Sequence, residues 1–213
     1  MDREEFIRLL GREKGTAILR TDDQETAARA MEAALNGGFR IIEFTLTIPG
    51  VFELIREFSR RDGLVVGAGT VMTADEADRA VESGASFLVS PVVDPAVIEA
   101  ANRLGVASMP GTHTPTEMLL AHRAGAPLVK LFPAPAGGPA WVRSVLGPMP
   151  WLKIVPTNGV DARNAGEWIE AGAWAVGFVA PLFVPDDLKA RRWDAIEQRA
   201  RDCLAALRGS GPA

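Results

Sequence analysis

At 213 residues the chain can bury one large core but is short for two domains of ordinary size, so a single domain over 1–213 is expected. A net charge of −4 with scattered arginines excludes the clustered basic surface that neutralises nucleic-acid phosphates, and 47% hydrophobic against 23% charged residues excludes a disordered chain. One cysteine, Cys203, leaves no internal disulfide and no cysteine-rich zinc site, and no apolar stretch has the length of a membrane span or signal segment, so a cytoplasmic protein that meets neither membrane nor nucleic acid is expected.

The charged segment 3–12 reads as a helix standing before a repeat. Glycines then recur every 20–25 residues, at Gly15, Gly38, Gly63, Gly84, Gly105, Gly125, Gly147 and Gly172. Each reads as a helix stop, because a residue just past a helix often takes the left-handed conformation. After each glycine comes a short apolar run: 16–20, 39–46, 64–71, 87–93, 107–112, 128–134, 152–159 and 175–184. The runs have strand length and nearly continuous hydrophobicity, as strands covered on both faces do. Between them lie amphipathic helical patterns such as 24–36, 74–83, 95–104, 115–123 and 162–171, with Asp23, Thr73, Asp94, Thr114 and Asp161 placed as N-caps. Eight such units in about 200 residues predict an α/β fold, a (β/α)₈ TIM barrel with an extra N-terminal helix capping its bottom. A doubly wound open sheet alternates in the same way, but no GxGxxG follows the first strand. The tail 209–213 reads as loose.

Chemistry in such barrels gathers at the C-terminal ends of the strands. Alternation along the second strand puts Ile41, Glu43 and Thr45 on one face and Ile42, Phe44 and Leu46 on the other. Packing the bulkier set against the helices turns Glu43 into the barrel. By the same rule Leu128, Lys130 and Phe132 point inward and Val129 and Leu131 outward. A lysine sealed there is expected to titrate below the ordinary value of roughly 10.4, which would supply a neutral amine able to attack a carbonyl. From residues alone a second reading stays open, in which Lys130 is a buried cation paired with Glu43 and carries no chemistry. Lys153 competes, but it stands at the start of its strand. Glu43 reads either as a general acid/base or as an ion-pair partner of Arg20 or Lys130. Arg20, at the end of the first strand, suits a bidentate grip on a substrate carboxylate. Thr70 follows two glycines that let a ligand approach the backbone. Ser90, Pro91, Pro110 and Gly111 mark abrupt strand ends, His113 reads as a solvated loop residue and His122 as surface. No His, Asp or Glu group has metal-ligand spacing, so neither a metal nor a cofactor is expected.

Taken in order, Ile42-Glu43-Phe44-Thr45, Gly67-Ala68-Gly69-Thr70-Val71, Ser90-Pro91, Met109-Pro110-Gly111, Val129-Lys130-Leu131-Phe132-Pro133-Ala134 and Val155-Pro156-Thr157 resemble the 2-keto-3-deoxy-6-phosphogluconate (KDPG) / 4-hydroxy-2-oxoglutarate (KHG) aldolase family. The resemblance runs from Arg20 to Val184. It implies a homotrimeric barrel that needs no metal and cleaves a 4-hydroxy-2-oxo acid, a small-molecule substrate, to pyruvate and an aldehyde. It makes Lys130 the Schiff-base lysine and Glu43 the proton-transferring acid. It makes Thr70 a carboxylate contact and Pro91 and Phe132 pocket walls, with Thr157 also on the substrate side.

Two departures matter. Where many members carry an arginine after the catalytic glutamate, this chain has Thr47, as other members do; Thr47 is kept among the substrate-binding residues and carboxylate binding falls to Arg20. The family's phosphate site resembles a double glycine after the seventh strand and a Gly-Ser step after the eighth; here Thr157-Asn158-Gly159 and Gly177-Phe178-Val179-Ala180-Pro181 stand instead. Val179 adds bulk, Ala180 lacks a hydroxyl and Pro181 lacks an N–H, so a substrate without a firmly held phosphate is expected at Asn158, Gly159, Val179 and Ala180. Two other readings remain: a sugar-phosphate isomerase or epimerase with Glu43 as base, and a 2-oxo-acid binding protein that has lost turnover.

Overall fold

The computed structural model describes residues 1–208; the tail 209–213 lies outside the described residues. The chain runs α1 (Arg3–Glu13), β1 (Gly15–Leu19), α2 (Gln24–Asn36), β2 (Ile41–Thr45), α3 (Val51–Phe58), β3 (Val65–Gly69), α4 (Ala74–Glu82), β4 (Phe87–Ser90) and α5 (Pro95–Leu104). It continues through β5 (Ala107–Thr112), α6 (Pro115–Arg123), β6 (Val129–Leu131), α7 (Pro139–Leu146), β7 (Ile154–Pro156), α8 (Ala165–Glu170), β8 (Val176–Phe178), α9 (Pro185–Lys189) and α10 (Trp193–Arg208). All strand pairs are parallel, in the order β7-β6-β5-β4-β3-β2-β1-β8. A parallel bridge between Thr157 and Gly177 joins the two ends of that order. The closure makes the fold a (β/α)₈ barrel and excludes the open sheet, which would leave both end strands unpaired.

Strand alternation sorts the core into two parts. Outward residues such as Ala17, Leu19, Ile42, Phe44, Val66 and Leu131 pack under the helices. Inward residues including Ile41, Val65, Phe87, Val89, Met109, Leu128 and Val155 form a separate cluster with Phe6, Ile7 and Leu10 of α1. Phe6 stacks on Phe87 with ring centroids 4.4 Å apart, and the Trp174 indole N–H donates to the Ile7 carbonyl at 3.1 Å. The N-terminal helix therefore stoppers the barrel at the N-terminal ends of its strands. Truncating a fully buried phenylalanine of this kind costs about 3–5 kcal/mol.

Helix starts follow local chemistry. Asp23 and Asp94 cap α2 and α5, while Thr73–Glu76 and Thr114–Glu117 form reciprocal capping boxes on α4 and α6. Asp161 is a correction: α8 starts later, with Asn164 at its N-cap and no side-chain cap bond. Asp161 instead accepts from the Arg163 backbone at 2.8 Å and closes the turn before the helix. Six of the eight glycines are left-handed, but Gly15 begins β1 and the helix-ending conformation falls to Lys14 (φ 57°), while Gly147 stays right-handed. β6, β7 and β8 are also shorter than their apolar runs, because Pro133, Pro156 and Pro181 interrupt or follow them without an N–H to pair.

The segment after β8 is fastened rather than draped. Asp187 on α9 is buried, accepts ion pairs from Arg192 and Arg199, and Arg199 Nε also holds the Leu182 carbonyl at 3.1 Å. Burial alone would raise the Asp187 carboxyl, but the two guanidiniums outweigh it and hold it below the usual range.

Candidate active site

Glycines open the inner wall toward the mouth of the barrel. A methyl at Gly69 would lie 1.9 Å from Glu43 Oε1, one at Gly67 would enter the Phe87 ring, and one at Gly177 would meet Ile18 and Thr157. Glu43 consequently leans across β3 into space that only a glycine leaves free. It is 1% exposed, and its Oε1 has no hydrogen-bond partner. Burial raises its pKa, with the positive charges of Lys130 and Arg20 pulling the other way.

Lys130 lies on β6 beside Gly111 of β5, and its Nζ sits 5.4 Å from the centroid of the Phe132 ring. The Thr112 hydroxyl donates to the Lys130 carbonyl at 3.0 Å, fixing the backbone under it. The side chain is half-buried, so the expectation of a lysine sealed from water is corrected: it reaches the mouth. No ion pair joins it to Glu43 among the described residues; the two interact through the field rather than by contact. Lys153 stands just below β7, over the Trp174 ring at 5.3 Å, at the stoppered end.

Arg20 follows β1 and is turned away from Glu43. Its guanidinium donates to Thr70 Oγ1 at 2.9 Å and Thr47 Oγ1 at 3.2 Å, and Thr47 in turn shares a 2.8 Å hydrogen bond with Thr45. This disposes of the Arg20–Glu43 ion pair as a reading. Thr70 reaches Arg20 because its backbone is left-handed (φ 61°), a conformation that costs a β-branched residue on the order of 1–3 kcal/mol and clusters at ligand sites. The result is a preformed group of one cation and three hydroxyls on the side of the mouth opposite β6.

The remaining candidates divide. Pro91 and Phe132 line a cavity of about 510 Å³ with Gly111, Thr112 and His113; His113 is exposed, with Nδ1 3.0 Å from the Pro133 carbonyl oxygen. Thr157 is buried in the wall between β7 and β8, its hydroxyl directed to the Val155 carbonyl. Asn158 (φ 65°) and Gly159 (φ 96°) form an exposed turn whose carbonyls accept from Ala134 N and Asn164 Nδ2. Val179 and Ala180 line a second cavity, of about 540 Å³, with Ile18, Arg20 and Thr47. In that loop the Leu182 and Phe183 N–H groups are spent on the Val179 carbonyl. The structure therefore gathers Lys130, Glu43, Arg20, Thr47 and Thr70 at one mouth, and Val179 and Ala180, not Asn158 and Gly159, line the cavity that Arg20 and Thr47 share.

Two residues in this arrangement escaped sequence reasoning. Gly69 was legible as a place where a ligand can approach the backbone, not as the room for Glu43. Lys189, on the wall of the second cavity, reads in sequence as an ordinary cation in the last turn of a helix.

The sequence matches KDPG and KHG aldolase over residues 8–199. It is 36% identical over 193 residues to a probable 2-dehydro-3-deoxy-6-phosphogalactonate aldolase of Rhizobium meliloti (strain 1021), covering 89% of each chain. The fold superposes with a TM-score of 0.83 on a 2-keto-3-deoxy-6-phosphogluconate aldolase of Zymomonas mobilis ZM4 with 3-phosphoglycerate, at 27% identity over 97% of this chain and 98% of that one. It superposes at 0.79 on a KDPG aldolase from Legionella pneumophila with pyruvate captured as a covalent carbinolamine, at 25% identity over 88% and 92%.

Proposed function

Because the chain belongs to the KDPG and KHG aldolase family, we propose that it is a class I, metal-independent aldolase that cleaves a 4-hydroxy-2-oxo acid to pyruvate and an aldehyde through a Schiff base on Lys130. The observation that carries the assignment of roles is the meeting of a reachable lysine with a buried carboxyl whose Oε1 is unpartnered and whose pKa is raised. The carbinolamine trapped in the Legionella relative supports the covalent route.

Neutral Lys130 attacks C2 of the 2-oxo acid, and loss of water leaves a protonated imine. Glu43 removes the C4 hydroxyl proton, the C3–C4 bond breaks with its electron pair flowing into the imine, and the aldehyde departs. The enamine takes a proton back at C3, and water hydrolyses the imine to pyruvate and free Lys130. A carboxyl with no competing hydrogen bond suits both proton transfers. Arg20 and Thr70, with Thr47 behind them, hold the carboxylate at C1, while Phe132 and Pro91 wall the methylene side.

Incubation with pyruvate and borohydride tests this by intact and peptide mass. The expected result is one pyruvyl adduct, on Lys130. An adduct on another lysine breaks the assignment, and none restores the isomerase reading. The replacement of a Gly-Ser step by Val179, Ala180 and Pro181 favours one alternative, a binding protein without turnover; it predicts the adduct but no aldehyde-dependent activity. The same loop supports a substrate whose phosphate is not held by backbone N–H groups, tested by comparing cleavage of 4-hydroxy-2-oxoglutarate with that of the phosphorylated sugar acid.

We further assign a single working domain, a cytoplasmic location and a homotrimer. The exposed apolar Val92 and Leu120 on the wall of the Phe132 cavity support burial against another copy, and light scattering at three times 22.7 kDa is the expected result. No helix among the described residues is long and apolar enough to cross a membrane.

A further inference from the structure

The 540 Å³ cavity falls in the range of small-molecule sites, roughly 300–1,000 Å³, and pyruvate chemistry as assigned above uses only its Arg20 and Thr47 edge. Its floor is Ile18, the residue of β1 in register with Glu43. Its walls are Val179 and Phe183 after β8 and Leu188 on α9, and its two cations are Arg20 and Lys189. The cavity therefore opens at the barrel mouth, on the β1 and β8 side of the strand that carries Glu43, and neither Glu43 nor Lys130 lines it. A substrate held at C2 by Lys130 and at its C4 hydroxyl by Glu43 has further carbons to place, and this cavity offers them room at the same mouth.

The two cations differ in commitment. Arg20 is engaged by Thr70 and Thr47, whereas Lys189 has no ion pair among the described residues although it is carried by a firmly held segment. Two residues before it, Asp187 is buried and fastened by Arg192 and Arg199, so α9 presents the ammonium from a fixed base. Asp22 rims the cavity on the β1 side, which leaves the α9 side to a negative group. The walls between are largely apolar, and the Leu182 and Phe183 N–H groups after β8 are already bonded to the Val179 carbonyl.

We propose that this cavity receives the distal arm of the substrate and that Lys189 is the specificity residue for a terminal anion, a carboxylate or a phosphate, in place of a backbone anion site after β8. The proposal rests on the aldolase reading, because it takes its direction from Lys130 and Glu43. It differs from that reading in being about the far end of the substrate, which neither residue touches.

The test compares cleavage of three 4-hydroxy-2-oxo acids ending in a carboxylate, a phosphate and a hydroxyl, using the full chain, Lys189→Met and Lys189→Arg. Loss of a charge-assisted contact is expected to raise KM for an anion-ended substrate roughly tenfold or more relative to the hydroxyl-ended one in K189M, with K189R restoring most of it. Whichever anion-ended substrate shows the larger rise names the anion. Equal changes on all three substrates, or none, overturn the proposal. Borohydride trapping with pyruvate runs alongside: an adduct with unshifted KM ratios overturns the Lys189 assignment alone, while no adduct in the unaltered chain overturns the aldolase reading and this proposal with it.

Discussion

Glu43→Gln is expected to stabilise the protein while removing its activity. The glutamate is 1% exposed with an unpartnered Oε1, and burial raises its pKa above the ordinary 4.5. A carboxyl whose folded pKa is raised contributes stability that is fully present below about pH 4.5 and is lost as pH rises through the folded value. Above that folded value the chain holds a desolvated charge that Lys130 and Arg20 only partly offset. Leaving a buried polar group without its partner costs about 1–3 kcal/mol, and glutamine fills the same volume without the charge. The variant should gain about that much at pH 8, or roughly 2–10 °C in Tm for a chain of this length, and much less at pH 4. Urea unfolding followed by circular dichroism at both pH values measures the difference, and cleavage kinetics should show kcat reduced at least about 100-fold. An E43Q variant less stable than the native chain at pH 8, or a difference independent of pH, would refute the picture of an uncompensated buried carboxylate.

Three further outcomes follow from the same geometry. Gly69→Ala places a methyl 1.9 Å from Glu43 Oε1, so it should displace the carboxyl, cost about 1–3 kcal/mol of stability and lower kcat; the double variant with Glu43→Gln should show non-additive losses in a mutant cycle. Arg20→Met removes the donor to Thr70 and Thr47 and should raise KM for pyruvate in the condensation direction roughly 10- to 100-fold, with a smaller change in kcat. Asp187→Asn should cost about 2–3 kcal/mol at neutral pH, less than the ~3–5 kcal/mol of a fully buried pair because Arg192 is open to solvent. The Asp187 carboxyl is held below its ordinary 3.8, so its contribution is present above that value and lost as pH falls through the lower folded one; the gap between native and D187N chains should begin to narrow below about pH 4.

The barrel was legible because its signals are local. Continuous apolar runs, caps at Asp23, Thr73, Asp94 and Thr114, and the alternation that turns Glu43 and Lys130 inward each need only a few neighbouring residues. What escaped depends on distant partners. Arg20 and Thr70 stand 50 positions apart and meet only because Thr70 adopts a left-handed backbone, which no motif announces in a β-branched residue. Gly69 reads as an opening for a ligand until Glu43 is seen leaning over it. Asp161 failed as a cap because the chain spends it on a preceding turn, and Lys130 proved more open than an apolar strand suggests because β6 is only three residues long.

The stopper formed by α1 makes the barrel a shaft with one opening. Phe6 on Phe87 closes the lower end, and Lys130 stands above it with the substrate's outer half beyond. On the proposed chemistry traffic through such a shaft is last in, first out: the aldehyde must clear the opening before pyruvate, and in condensation pyruvate must enter first. Steady-state kinetics should accordingly be ordered, with pyruvate the leading reactant whichever aldehyde follows it.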